Sequence, residues 1–251
     1  MYSKLNWRFI LILCICFLFL GGGVSYGKLY KNSDDLYAVQ MRSAFLRGDC
    51  APFFDLNNQA IIIIRSDLLF YRGLCLYREG KVEQALNAFE KVLQLDPNNL
   101  EALNNKANIY AHYLGKKEEA LDVYNRIIRE SPRNIEFRLN RVLVFDELGR
   151  QQEALADLDF VLRQDPKNGM AWLLRSNIYA KMGDLKQALA SINSAIWYAP
   201  KLVEAYTNRG IIRITMGNYI FGCRDLRYAM EQGSQIAQNY YQRNCISRSS
   251  K

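Results

Sequence analysis

The sequence predicts an all-α solenoid of helix-turn-helix repeats, because three sets of landmark residues share one spacing. Glycines recur at intervals of 35, 34, 34 and 34 residues, and a small residue lies five positions after each. A proline lies seventeen positions after each of the first four glycines. The three sets keep one register over about 150 residues, which chance does not explain. The glycines are Gly80, Gly115, Gly149, Gly183 and Gly217.

Each landmark has a physical role in a pair of antiparallel helices. A glycine suits the end of the first helix, where the backbone turns through a left-handed conformation. A small residue on the second helix lets the two helices cross closely, because a larger side chain would overpack the crossing. A proline after the second helix stops it from continuing. The small residues are Ala85, Ala120, Ala154, Ala188 and Gly222, and the prolines are Pro97, Pro132, Pro166 and Pro200.

Two of the repeats carry the residues of a known family. The stretch 205–210 followed by 217–219, and the stretch 171–174 with Tyr179, Gly183, Ala188 and Pro200, resemble the tetratricopeptide repeat. The resemblance covers five repeats over residues 66–233 and implies a right-handed superhelix of helix pairs. It says little about function, since members of the family serve many processes. The fifth repeat departs from the pattern, with Gly222 in place of the alanine and no final proline.

Shorter segments flank the five repeats. Residues 28–65 are predicted to be a linker and a degenerate leading helix pair, with helices from Asp34 to Arg47 and from Pro52 to Ile64 and a turn at Gly48. Residues 234–251 are predicted to be a capping helix and a tail, because a solenoid must cover its last apolar face.

The first 27 residues have the features of a targeting segment. Lys4 and Arg8 precede an unbroken apolar run from Phe9 to Leu20, and three glycines follow it. Twelve apolar residues suit a cleaved signal peptide, whereas residues 7–24 are barely long enough for an uncleaved membrane anchor. A third reading is a buried helix of the domain. The first two readings place the repeats outside the cytoplasm, either exported (periplasmic or secreted) or membrane-anchored with membrane contact through residues 7–24.

The cysteines beyond the targeting segment are even in number, which suits an oxidising compartment. Cys223 and Cys245 each lie about eleven residues from a turn predicted near Gly233. They would therefore face each other at the open end of a helical hairpin, and we predict a disulfide between them. The alternative is a pair of small buried apolar residues. The pairing of Cys50 with Cys75 remains open, because their distances from the predicted turn do not match.

The sequence gives no support for catalysis or for a bound cofactor. His112 is the only histidine, so it cannot build a histidine-rich metal site. The chain contains no phosphate-binding glycine loop and no His-Glu-x-x-His motif. We therefore expect no catalytic residue, no metal and no cofactor.

Asparagines at equivalent places on the first helices are the candidate binding residues. The first helices of such a solenoid line its concave side, which can take an extended or helical segment of a partner. An asparagine side chain both donates and accepts hydrogen bonds, so it can pair with a peptide backbone of any sequence. The alternative is that the asparagines only tie neighbouring helices together. The predicted groove residues are Asn104, Asn105, Asn108, Asn140, Asn177 and Asn208.

A basic row on the same helices gives an alternative function. The row consists of Arg72, Lys106, Arg141, Arg175 and Arg209, at equivalent places in the five repeats. Beyond residue 27 the chain has 31 basic and 25 acidic residues, a mild and mixed bias for which we expect no nucleic-acid partner. The sequence therefore predicts a non-catalytic scaffold that binds a protein or peptide in its groove outside the cytoplasm. The alternative is a polyanion-binding module that uses the basic row.

Overall fold

The computed structural model describes residues 38–55 and 65–246, and all regular secondary structure in these two ranges is helical. This confirms the predicted all-α class. The chain divides into two compact units, residues 1–81 and residues 82–251. The predictions for residues 1–27, 28–37, 56–64 and 247–251 lie outside the described residues. No helix within the described ranges is long and apolar enough to cross a membrane.

The first unit contains a helix that precedes the repeats, a short 3-10 helix and the first helix of the first repeat. Helix α1 covers residues 38–46 and is followed by a turn at Gly48, where φ is +84°. A 3-10 helix, Ala51–Phe53, stands near the predicted start of the second helix, and helix α2 spans Ser66–Arg78. The Phe45 and Tyr71 rings lie 4.9 Å apart and join α1 to α2.

The second unit is a succession of helices joined by short turns. Most of them contain thirteen or fourteen residues, between three and four helical turns. Each helix contacts the next one in the chain, as expected of stacked helix pairs. The helices are α3 (Val82–Leu95), α4 (Leu100–His112), α5 (Lys117–Glu130), α6 (Ile135–Glu147), α7 (Gln151–Gln164), α8 (Gly169–Lys181), α9 (Leu185–Tyr198), α10 (Val203–Thr215), α11 (Tyr219–Glu231) and α12 (Gln235–Tyr241).

The landmark residues lie where their physical roles require them. The five predicted turn glycines have φ between +66° and +84°, the left-handed region that ends a helix. The four crossing alanines are fully buried. Each of the four prolines lies two residues beyond the end of a second helix. Asn99, Asn134 and Asn168 then cap the next first helix by accepting hydrogen bonds from its first turn.

Buried apolar side chains connect consecutive helix pairs. The largest cluster joins α4 through α8 and includes the fully buried Tyr124, Ile127 and Leu158. Burial of each such side chain contributes roughly 1.5–3 kcal/mol. Smaller clusters continue this packing through α10 and from α11 to α12. Each pair is therefore stabilised mainly by its neighbours, as in other repeat proteins.

The crossing of α10 and α11 explains why Gly222 replaces the alanine of the other repeats. A Cβ atom on Gly222 would lie 2.6 Å from Cγ1 of Ile214 and 2.9 Å from the carbonyl oxygen of Gly210. These distances leave no room for a methyl group. The departure from the repeat pattern is thus an adaptation to a closer helix crossing.

The C-terminal part of the second unit contains a short helix that follows α11. Helix α12 begins after Ser234, whose hydroxyl accepts a hydrogen bond from the Ala237 amide, and continues as a π-helical turn over Gln242–Ile246. The structure pairs Cys223 with Cys245, with 5.8 Å between their Cα atoms. It also pairs Cys50 with Cys75, at 5.6 Å. Both distances are typical of disulfides.

Candidate partner-binding site

The six predicted groove asparagines all lie on first helices, here α4, α6, α8 and α10. Asn140 on α6 donates from Nδ2 to Oδ1 of Asn104 on α4, at 2.9 Å. Asn208 on α10 donates in the same way to Asn177 on α8, at 2.8 Å. These two hydrogen bonds tie neighbouring first helices together, which is one of the two roles that the sequence left open.

Asn105 and Asn108 make contacts that differ from those of their equivalents, which are Asn140 and Asn208 for Asn105 and Asn177 for Asn108. Nδ2 of Asn105 donates to the carbonyl oxygen of Glu101 on its own helix, at 2.8 Å. Oδ1 of Asn108 accepts a hydrogen bond from the Tyr124 hydroxyl of the paired second helix. The equivalent asparagines therefore do not form one uniform ladder of hydrogen bonds.

Three of these side chains keep an acceptor available. Asn105, Asn140 and Asn208 occupy the same place in their repeats, are half-buried, and each uses Nδ2 in one of the bonds just described. Among the described residues, none donates a hydrogen bond to their Oδ1 atoms. The internal bonds thus hold three equivalent carboxamide groups in fixed orientations.

Polar and charged contacts near the ends of the first helices add further links between neighbours. Glu147 on α6 contacts Nδ1 of His112 on α4 and Nζ of Lys117 on α5, each at 3.1 Å. Asp146 on α6 accepts a hydrogen bond from Lys181 on α8, at 2.7 Å. These links were not predicted from the sequence. In each link the two residues belong to neighbouring repeats and lie 30 to 35 positions apart in the sequence. Pairs of opposite charge at about this spacing are therefore the sequence signal for such links.

The basic row is paired within the molecule at four of its positions. Lys106, Arg141, Arg175 and Arg209 each reach the residue sixteen positions earlier, on the second helix of the preceding repeat. The partners are Glu90, Asn125, Asp159 and Asn193. These cations form hydrogen bonds and ion pairs that link one repeat to the next. They therefore do not form a surface of unpaired positive charge.

In the third and fifth repeats, a buried aspartate also binds the arginine of the basic row. Arg141 donates twice to Asp157, with both distances 2.7 Å, and Arg209 donates twice to Asp225, with both distances 2.8 Å. A second arginine joins each pair, from Arg138 to Asp157 and from Arg213 to Asp225. Planar guanidinium groups suit such bidentate contacts with carboxylates.

Lys106 shows how the pairing keeps a half-buried cation charged. Burial by itself lowers the pKa of the Lys106 ammonium group. Hydrogen bonds to Glu90 and Tyr110 act in the opposite direction, and the pKa of Lys106 ends above its ordinary value. Lys106 therefore remains a cation and keeps its ion pair with Glu90 at neutral pH.

The described residues contain no group of three or more histidine, cysteine, aspartate or glutamate side chains arranged to hold a metal ion. His112 is engaged by Glu147, as described above.

Sequence models of the tetratricopeptide repeat match residues 66–99, 88–122 and 139–201. These matches cover the residues whose helix pairs have just been described. The chain is a tetratricopeptide-repeat protein. The tetratricopeptide-repeat fold is a scaffold typical of protein-protein interaction.

Solved structures of tetratricopeptide-repeat proteins resemble its fold. PilW, a widely conserved type IV pilus biogenesis factor, aligns with a TM-score of 0.72 and 15% identity over 82% of this chain and 97% of PilW. A thermophilic repeat protein of Thermus thermophilus aligns with a TM-score of 0.62 and 22% identity, over 72% of this chain and 100% of that one. YrrB, described as having an unusual peptide-binding site, aligns with a TM-score of 0.53 and 19% identity, over 71% and 93%. At these identities the likeness shows the fold alone.

One short match to a curated protein adds little to this picture. A stretch of 31 residues is 58% identical to Protein CTR9 homolog of Arabidopsis thaliana and covers 12% of this chain. The match spans only 3% of the length of that protein. The match is therefore consistent with one repeat that the two proteins have in common. It carries no information about a shared activity.

Proposed function

We propose that this tetratricopeptide-repeat protein is a non-catalytic scaffold, outside the cytoplasm, that binds an extended segment of a protein partner. The segment lies along the surface formed by the first helices α4, α6, α8 and α10. Consecutive members of this set are joined by the side-chain contacts of Asn140, Asp146 and Asn208. They form one continuous surface that crosses four repeats.

The observation that carries this proposal is the set of fixed carboxamide groups on Asn105, Asn140 and Asn208. Their Nδ2 groups are held by internal hydrogen bonds, while their Oδ1 atoms accept none from the described residues. Such oxygens can accept hydrogen bonds from the backbone N–H groups of an extended segment. Because the groups are already oriented, binding costs less conformational entropy than it would with free side chains.

Charge on the same helices favours a basic or neutral partner. Glu101, Glu136 and Glu204 lie in the first turns of α4, α6 and α10, and all three side chains are exposed. Acidic residues in a first turn also interact favourably with the helix dipole. YrrB supports peptide binding as a use of this fold, since its structure is described as containing a peptide-binding site.

The polyanion alternative receives no comparable support. Four cations of the basic row are engaged by side chains of neighbouring helices, and Arg141 and Arg209 each hold a buried aspartate. A polyanion would have to compete with these bonds. The proposed function therefore rests on the asparagine surface.

Location outside the cytoplasm is supported by two features. The four cysteines after the targeting segment stand in two pairs at disulfide distance, and disulfides persist mainly in oxidising compartments. The basic and apolar residues of the first 27 positions are typical of a signal peptide or an anchor.

A capture experiment with two matched variants tests the proposed surface. Partners are cross-linked in the native host to the wild type, to Asn105→Ala/Asn140→Ala/Asn208→Ala, and to Asn104→Ala/Asn177→Ala. Both variants remove the two hydrogen bonds between first helices, but only the triple variant removes the three free acceptors. Thermal unfolding followed by circular dichroism checks that the variants are folded.

We expect a defined partner that the wild type and the double variant capture and the triple variant loses. With the purified partner, affinity should fall about tenfold or more in the triple variant, since each lost hydrogen bond contributes about 1 kcal/mol. Equal loss in both variants would show that the asparagines act only by tying helices together. Unchanged capture by the triple variant would mean that the partner binds another surface of the protein.

A further inference from the structure

A cavity between α10 and α11 combines arginine side chains with aromatic rings. Its volume is about 360 Å³, and none of the six groove asparagines lines it. Pockets for small ligands and side chains begin at about 300 Å³. The lining residues are Tyr206, Arg209, Arg213, Phe221, Arg224, Asp225 and Tyr228.

The wall of this cavity carries more positive than negative charge. Arg209 and Arg213 both donate to the buried carboxylate of Asp225. Arg224 is exposed and forms no ion pair with any described residue. Three guanidinium groups and one carboxylate thus line the cavity, and Arg224 is the cation that remains available to an incoming anion.

Aromatic rings form the other part of the wall. The Tyr206 and Tyr228 rings pack with their centroids 4.4 Å apart, and the Arg213 guanidinium lies 5.8 Å from the centre of the Phe221 ring. Phe221 is 50% exposed and Tyr228 is 38% exposed. An exposed pair of rings beside a free cation offers apolar contact and charge at one place.

In the third repeat an arginine covers the ring at the corresponding place. There Arg138 lies 3.8 Å above the Phe160 ring and donates to Asp157. In the fifth repeat the equivalent of Arg138 is Tyr206, and the second arginine comes instead from Arg213, about two turns further along its helix. Asp225 keeps two arginines, but the ring of Tyr228 loses its covering guanidinium.

We propose that this cavity binds an acidic peptide segment. A carboxylate of the segment contacts Arg224, and a neighbouring apolar side chain rests on Phe221 and Tyr228. Arginine suits this role because its planar donors pair with carboxylates more strongly than neutral groups do. The proposal is independent of the first-helix surface, since it uses other residues and a ligand of opposite charge.

The test uses fluorescence anisotropy with the purified full chain and two labelled hexapeptides, one alternating glutamate with phenylalanine and one alternating lysine with phenylalanine. Arg224→Gln should weaken binding of the glutamate peptide about tenfold, as expected for a charge-assisted hydrogen bond. Arg163→Gln, the same change at an exposed arginine of α7, should leave affinity within about twofold because long-range surface charge is screened by salt. Phe221→Ala should also weaken binding.

Three outcomes would overturn the proposal. They are the absence of binding, equally tight binding of the lysine peptide, and equal losses in Arg224→Gln and Arg163→Gln. The variant Asn105→Ala/Asn140→Ala/Asn208→Ala should bind the glutamate peptide like the wild type. Failure of this site and failure of the first-helix surface are therefore separate results.

Discussion

At the scale of single residues, the role of each polar side chain depends on which partner lies within its reach. Asn140 and Asn208 donate across to the neighbouring first helix, whereas Asn105 turns back to its own helix. Arg141 and Arg209 extend into the interior because a buried aspartate meets them there. The residue type thus determines which hydrogen bonds a side chain can form. The neighbouring helices determine which partner it bonds to.

Asp157 provides a direct test of the buried charge clusters. Asp157→Asn leaves Arg138 and Arg141 close to an uncharged amide, and we expect a loss of about 3 kcal/mol in the free energy of unfolding. The matched control is Asp159→Asn on the same helix, whose carboxylate is 47% exposed and pairs with Arg175. That change should cost less than about 1 kcal/mol. Urea unfolding measures both, and equal losses would contradict the structural role of Asp157.

At the scale of the elements, close helix crossings and a covalent link define the C-terminal part of the second unit. Helices α10 and α11 cross with Gly210 and Gly222 in direct backbone proximity. Helix α11 is then joined to the end of α12 through Cys223 and Cys245. The last repeat is held by backbone contact on one side and by a disulfide on the other.

Gly222→Ala tests the close crossing. Alanine favours a helix over glycine by about 1 kcal/mol, so this change would stabilise an unobstructed helix. Here the methyl group meets Ile214 and the Gly210 carbonyl, and we expect a net loss of about 1–3 kcal/mol. Thermal unfolding measures the change, and a raised melting temperature would show that the crossing has spare room.

Cys223→Ala/Cys245→Ala tests the covalent link. The link closes a segment with a sequence separation of 22 residues, and a loop of that size contributes about 3 kcal/mol. We expect hydrogen exchange in residues 235–246 to become faster in the variant. The control, Cys50→Ala/Cys75→Ala, should leave exchange in that segment unchanged. Equal protection in the wild type and both variants would mean that packing alone holds α12.

At the scale of the whole molecule, the predicted compartment and the cysteine pairs are linked. Both pairs are at disulfide distance, and an oxidising compartment would keep them bridged. We expect the intact mass of the native protein to lack four thiol hydrogens. Cleavage of a signal peptide would further reduce the mass by about the first 27 residues, whereas an anchor would leave them in place. Four free thiols at Cys50, Cys75, Cys223 and Cys245 would contradict the proposed location.

The fold could be predicted from the sequence because its landmarks act locally. Gly183 ends a helix and Pro166 follows one for reasons contained in a few neighbouring residues. The site could be predicted only in part. Equivalent spacing suggested one role for Asn105, Asn140 and Asn208, but their hydrogen bonds depend on the separation and rotation of neighbouring helices. The contacts of the basic row do have a signal in the sequence, because each cation has a polar partner sixteen positions away.

The link between Cys223 and Cys245 has a consequence for how the protein comes apart. In a stack whose repeats contact only their neighbours, the outermost helix has the fewest contacts and detaches first. With α11 and α12 joined, α12 cannot separate far from the stack unless α11 follows it. The smallest piece that can be released from this end is then a pair of helices, so the first opening step exposes more surface and becomes rarer. A protease that requires an opened chain should for this reason cut the oxidised protein more slowly at this end than the reduced protein.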